Sequence, residues 1–204
     1  MSVEIIKNFA TQDACKKIYK NSLIELENNF GSARGYRESY SNLPVAEDIS
    51  DNDVSDIFNG SFLTNNGKNI IVIKEISKLL FGIQRKIENF YGVKISEVQS
   101  SLIKMLEGAK NDLHSDMYLL DGGEWHGGYG NRSAFEYSAL LYLSTYNKDF
   151  GGGEIVFPSL EVTYKPELGG LVFFSGDLDH KHFVREVTFG ERLCLVVFLK
   201  PDKS

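Results

Sequence analysis

The chain has 204 residues, 42% hydrophobic and 25% charged, a composition ordinary for a globular protein long enough to bury a sizeable core. A net charge of -6 and a pI near 5.3 argue against a nucleic-acid partner, which calls for a basic patch or stripe. Cys15 and Cys194 stand far apart without CxxC spacing, so neither a disulfide framework nor a zinc knuckle is expected. No basic segment followed by an apolar run opens the chain, and no apolar stretch reaches spanning length, so a cytoplasmic location with no membrane partner is expected.

A short apolar run, Val3 to Ile6, comes first. Thr11 to Asp13 then offer N-cap residues for a helix with Ile18, Leu23 and Ile24 on its apolar stripe, ending near Gly31. Residues 32 to 67 are polar and acidic, with turn signals at Asn59-Gly60 and Asn66-Gly67, and read as irregular chain. From Ile70 to Phe90 the positions Ile73, Ile76, Leu80, Ile83 and Ile87 recur at intervals of three and four, which predicts a long amphipathic helix packed on a sheet.

Beyond Gly92 the period becomes two. Strands are predicted over 101–106, 113–119, 135–144, 154–157, 160–164, 171–174, 181–187 and 193–199. Short strands separated by Gly-rich turns suggest a double-sheet jelly roll. The expected fold is α+β: a double-stranded β-helix core over 93–204, with N-terminal helices of 1–92 packed on one sheet, and 1–204 forming one domain.

Within this β region lies a cluster of metal-ligand chemistry. His114-Ser115-Asp116, placed on a strand, offers one imidazole and one carboxylate to the same face. A distant histidine, His180 or His182, would complete a facial triad, and two nitrogens with one carboxylate suit non-haem Fe(II) with positions left open. These two histidines differ by two and share a face, so the residues alone leave the third ligand open. Arg192 opens the last strand, its face shared with Cys194, Val196 and Phe198. Should that face look inward, a buried guanidinium needs an anion; a surface arginine beside Gly190-Glu191 is the alternative. The segment from Asp121 to Arg132 combines flexible glycines with the only tryptophan, Trp125, and with His126. It reads as a substrate loop or as a solvent-exposed hairpin connection. Arg34, Tyr36, Arg37 and Tyr40 are candidates for an opposite wall.

Five ordered pieces carry a family resemblance. These are Met105-Leu106-Glu107-Gly108 before His114-Ser115-Asp116; Leu140 to Ser144; Gly152-Gly153-Glu154 through Phe157-Pro158; Lys165 to Gly169 leading into Leu171 to Phe174; and His182, Val187 and Gly190-Glu191-Arg192. From Lys104 to Lys200 the chain resembles the Fe(II)/2-oxoglutarate-dependent dioxygenases, and within them the prolyl 4-hydroxylase branch. The resemblance implies Fe(II) held by His114, Asp116 and His182, the last selected by its spacing to Val187 and Arg192. It implies 2-oxoglutarate as cosubstrate, its distal carboxylate held by Arg192 in a bidentate fork and by Tyr142, with ascorbate as a candidate reductant. The implied reaction is hydroxylation of an unactivated C–H bond of an amino acid, peptide or small metabolite, consuming O2 and yielding succinate and CO2. Under this reading His180 lies behind the ligands or in an exposed loop, and His126 lies in the substrate loop.

Three departures bear on specificity. Met105 stands where the branch often has tyrosine, Arg192 where prolyl hydroxylases commonly have lysine, and Leu193 where tryptophan is frequent. Asp116 is an acid where related halogenases carry a small residue, which favours hydroxylation. A cupin-type enzyme without 2-oxoglutarate would leave Arg192 without a role, and a non-catalytic jelly-roll binding protein would make the ligand set coincidental.

Overall fold

The computed structural model describes residues 2–21, 35–41, 67–127 and 135–203. Its strands are β1 (Glu4–Ile6), β2 (Gly35–Ser41), β3 (Ile95–Leu106), β4 (Asn111–His114), β5 (Tyr118–Asp121), β6 (Glu124–Gly127), β7 (Tyr137–Tyr142), β8 (Phe150–Gly152), β9 (Ile155–Phe157), β10 (Val162–Tyr164), β11 (Leu171–Ser175), β12 (His182–Val184) and β13 (Val187–Pro201); its α-helices are α1 (Gln12–Asn21) and α2 (Gly67–Tyr91). The major sheet runs β1-β11-β7-β13-β3-β2, with β8 paired to the start of β13; the minor sheet runs β10-β9-β12-β4. Two sheets with antiparallel pairing throughout make the double-stranded β-helix expected from the strand pattern.

Period two sends alternate residues of β13 to opposite sides. Leu193, Leu195, Val197 and Leu199 join Ile18, Ile73, Ile76, Leu80, Ile83 and Ile87 in a core between the helices and the back of the major sheet. Cys194 faces the other way, into a second apolar cluster between the sheets with Leu140, Tyr142, Ile155, Phe157, Tyr164, Val172 and Phe174. The stripe predicted for α2 is fully buried, each such side chain contributing about 1.5–3 kcal/mol. Thr11 caps α1 as its sequence suggests, its Oγ1 accepting from the Ala14 N–H at 3.2 Å. At the other end of the helical layer Gly92 terminates α2 at φ +69, a left-handed conformation suited to glycine.

Four expectations change. The strand predicted over 113–119 ends at His114, and Asp116 sits on a bend before β5. The Ser115 hydroxyl donates to the Gly176 carbonyl at 2.7 Å and the Met117 N–H donates to the same carbonyl, pulling the chain off the sheet. Gly35–Ser41, within a segment read as irregular, pairs with β3; its polar residues occupy the sheet's edge, where no continuous apolar face is required. Glu124–Gly127, within the predicted loop, pairs with Tyr118–Asp121 as a two-stranded hairpin. The last strand begins at Val187, before Leu193, because its first residues pair with β8. The expected end of the first helix near Gly31 lies outside the described residues.

Candidate metal centre and anion anchor

β4 and β12 are antiparallel neighbours, and their register pairs His114 with His182. The two rings lie 4.3 Å apart between centroids. Asp116 swings in from its bend, so that donor atoms of His114, Asp116 and His182 all lie within 4.8 Å of one another. His114 Nε2 and Asp116 Oδ1 are 3.7 Å apart, beyond ordinary hydrogen-bond reach. No bond between these ligands competes with an ion.

Both rings are oriented alike from behind. Nδ1 of His114 meets the Asp112 carbonyl at 2.8 Å, and Nδ1 of His182 meets the His180 carbonyl at 3.1 Å. A carbonyl only accepts, so each Nδ1 carries the proton and each Nε2 presents its lone pair. Burial pulls the pKa of His182 down to about 4 against the opposing charge of Asp116, which keeps the ring in the neutral form a metal requires at physiological pH. Phe174, 4.8 Å away and edge-on, and Phe157, 5.2 Å away, wall in this ring. One carboxylate and two imidazole nitrogens, held apart from one another, fit Fe(II).

Across the interior, on the major sheet, Arg192 is 1% exposed. Its Nε donates to the Gly153 carbonyl at 2.9 Å and Nη2 donates to the Tyr142 hydroxyl at 3.2 Å. Nη1 faces Met105 Sδ at 3.3 Å and Cys194 Sγ at 3.4 Å, both weak acceptors. Among the described residues no carboxylate pairs with this guanidinium. A desolvated cation without a counter-ion is the arrangement that admits an anion. Burial also pushes the Tyr142 phenol well above its ordinary pKa, so its O–H remains a donor toward such an anion. Nη2 and that hydroxyl are strong donors here, while Nη1 meets only weak acceptors.

The Gly-Gly-Glu motif has a physical reason at Gly153. A Cβ there would lie 2.9 Å from Arg192 Cδ at a backbone φ of +67, so only glycine lets its carbonyl approach the arginine stem. The turn leading into β11 brackets Tyr142, whose carbonyl accepts from the Gly169 N–H and whose N–H donates to the Gly170 carbonyl.

The remaining candidates separate. His126 is exposed and does not join the ligand group. Trp125, half-buried on β6, has Lys181 Nζ 5.7 Å from its ring centroid, which ties the hairpin to the residue preceding His182. Arg132 and Arg34 lie outside the described residues, as do the side chains of Tyr36, Arg37 and Tyr40. Of the two places left open for His180, behind the ligands or in an exposed loop, the exposed one is excluded: it is 1% exposed, and its Nδ1 lies 2.7 Å from Asp177 Oδ1. Sequence reasoning passed over this pair because Gly176-Asp177-Leu178-Asp179 looks like a solvated turn; the signal available was Asp177 three residues before His180, the spacing of a capping carboxylate.

The family model described as the 2OG-Fe(II) oxygenase superfamily matches residues 100–200, the span that carries the triad, Tyr142 and Arg192. Over these residues the chain belongs to this superfamily. The chain is 39% identical over 66 residues to 2-oxoglutarate and iron-dependent oxygenase domain-containing protein 3 of Xenopus tropicalis, covering 31% of this chain and 21% of that protein. Over 105 residues it is 34% identical to prolyl 3-hydroxylase 2 of Gallus gallus, covering 46% of this chain and 15% of the relative. The matches thus span about a fifth or less of these curated relatives. Among solved structures, the viral collagen prolyl hydroxylase vCPH from Paramecium Bursaria Chlorella virus-1 superposes with a TM-score of 0.61 at 15% identity, covering 100% of this chain and 97% of that one. A Pseudomonas putida prolyl-4-hydroxylase gives 0.58 at 16%, covering 98% and 92%. At such identities these two attest the fold. Fe(II) and 2-oxoglutarate are the metal and cosubstrate of the family. Among the described residues no helix is long and apolar enough to cross a membrane.

Proposed function

We propose that this protein is an Fe(II)- and 2-oxoglutarate-dependent dioxygenase that hydroxylates an unactivated C–H bond in an amino acid, peptide or small metabolite. The observation that carries the reading is the convergence of His114, Asp116 and His182 at the minor sheet together with a buried arginine that no carboxylate among the described residues pairs with on the major sheet. A cupin-type enzyme gives Arg192 nothing to bind. The helical support of 1–92 and the jelly-roll core of 93–204 act as one domain in this proposal, because α2 covers the back of the sheet that carries the anchor.

Bound between the sheets, iron with 2-oxoglutarate and O2 supplies an oxidant strong enough to break a C–H bond, with succinate and CO2 as coproducts. The protein's own residues do the remaining work. His114 and His182 present Nε2 while backbone carbonyls hold their Nδ1 protons, and Asp116 supplies the compensating charge. Arg192 Nη2 and the Tyr142 hydroxyl hold the distal carboxylate of the cosubstrate. Leu140, Ile155, Phe157, Val172 and Phe174 keep water from the space between. Trp125 and His126 on the hairpin form one wall for the substrate; Arg132, the third candidate for this wall, lies outside the described residues.

One structural neighbour is a prolyl hydroxylase in complex with a hypoxia inducible factor oxygen degradation domain peptide fragment from Trichoplax adhaerens, which supports a peptide as one member of the substrate class. The test is anaerobic titration with Fe(II) and then 2-oxoglutarate, followed in the visible region. A weak charge-transfer band that is lost in His182→Ala, together with substrate-dependent succinate release in air, is the expected result. Iron binding without any such band would sink the cosubstrate assignment.

A further inference from the structure

His182 owes its orientation to a carbonyl on a single short turn. The His180 C=O that accepts its Nδ1–H belongs to a single 3-10 turn, Leu178–His180, and such turns have poor internal hydrogen-bond geometry. Without further support, that carbonyl would drift, and the ring of His182 would be free to turn over and present the wrong nitrogen.

The support is Asp177. One of its oxygens, Oδ1, accepts from the Asp179 N–H at 3.0 Å, from the His180 N–H at 3.3 Å and from the His180 ring at 2.7 Å. The other oxygen accepts from the Ser175 hydroxyl at 2.8 Å, which anchors the turn to the end of β11. A carboxylate only accepts from these groups, so Nδ1 of His180 carries its proton. The side chain of His180 is 0% exposed, and its Nε2 has no hydrogen-bond partner among the described residues. A buried ring nitrogen without a partner is a cost, and nothing in the ligand set requires it. A second contact path runs through the rings: His180 stacks on Phe174 at 6.3 Å, and Phe174 meets His182 edge-on at 4.8 Å.

We propose that Asp177 and His180 are positioning residues, a clamp that holds the His180 carbonyl and the Phe174 ring so that His182 stays in the Nδ1–H tautomer with Nε2 facing Asp116. The inference rests on His182 being a metal ligand, yet it concerns an orientation that exists before metal binds. Backbone and imidazole share the work: His180→Ala keeps the carbonyl and the amide but loses the ring, whereas His180→Asn returns a side-chain N–H close to the position of Nδ1.

The experiment is long-range 15N–1H NMR of the histidine rings in the metal-free protein, followed by anaerobic Fe(II) titration of the same samples. Wild type is expected to show His182 as one tautomer, protonated at Nδ1. In Asp177→Ala and His180→Ala both tautomers appear, and Fe(II) affinity falls about 10–100-fold, the usual effect of removing a group that orients a ligand. His180→Asn restores the single tautomer and most of the affinity. A merely structural contact would lower the melting temperature and leave the tautomer alone. The clamp is overturned by a single Nδ1–H tautomer in folded Asp177→Ala, or by His180→Asn behaving as His180→Ala. Failure of wild type to bind Fe(II) would refute the metal reading, and the tautomer signals would still decide the clamp.

Discussion

Burying Arg192 takes a charge out of water at an effective cost of several kcal/mol, and three kinds of neighbour share in offsetting it: the Gly153 carbonyl, the Tyr142 hydroxyl and two sulfurs. Replacing it with methionine removes the uncompensated cation but strands the carbonyl and the hydroxyl, at about 1–3 kcal/mol each. These effects oppose and nearly cancel. Arg192→Met should therefore change the stability of the ligand-free protein by less than about 2 kcal/mol while weakening 2-oxoglutarate at least about 30-fold, the loss expected for truncating one side of a desolvated charge pair. Urea denaturation and anaerobic cosubstrate titration measure the two halves; a large loss of stability with unchanged affinity would make Arg192 a structural residue. Its burial was legible in the sequence as one of two readings, because Arg192 falls at strand spacing with Cys194, Val196 and Phe198. Cys194 was legible as a same-face neighbour, but the approach of the Met105 and Cys194 sulfurs to Nη1 was not. Their approach depends on the register of β13 against β3, and on which face of each strand turns inward.

At the scale of elements, the helical repeat of α2 was readable because a period near 3.6 survives any context, whereas β2 was not, since an edge strand need not carry an apolar face. His114 and Asp116 illustrate the same limit: the motif was plain, but the bend that aims Asp116 comes from Gly176, distant in sequence. The junction of α2 with β3 rests on Glu88, which accepts from the Ile95 N–H at 3.1 Å, from Gln84 at 3.2 Å and from Arg85 at 3.1 Å. Burial raises its pKa, but the Ile95 and Gln84 hydrogen bonds with the charges of Lys94 and Arg85 outweigh it and leave the value lowered. A carboxylate with a lowered folded-state pKa contributes stability above its unfolded-state pKa, and that contribution disappears as pH falls through the folded value. Glu88→Gln should thus be less stable than wild type by about 1 kcal/mol at neutral pH, with the difference gone at strongly acid pH, below the lowered pKa of the carboxyl. Urea denaturation at both pH values checks it, and a gap that persists in acid would mean that packing, not charge, holds the junction.

For the whole molecule, the two sheets divide the proposed labour: the minor sheet brings His114 and His182 together, the major sheet carries the buried Arg192, and the helices pack on the back of the latter. The jelly roll itself was legible from strand period and spacing, yet the pairing of β4 with β12 was not, because only the closed fold brings His114 opposite His182. That pairing has a thermodynamic consequence. Each of the two strands is short, and β4 is the outer strand of the minor sheet, so an ion bridging them binds the folded chain and has little to hold in the unfolded one. Fe(II) at a hundred times its Kd should then add about 2.7 kcal/mol to stability. For a chain of this size each kcal/mol raises Tm by about 2–4 °C, which gives an increase of about 5–10 °C in anaerobic thermal melts. The increase should vanish on chelation and in His182→Ala. In Arg192→Met it should survive, while the further rise produced by 2-oxoglutarate in the wild type is lost. An Fe(II)-induced rise that persists in His182→Ala would place the ion elsewhere and separate the metal from the paired strands.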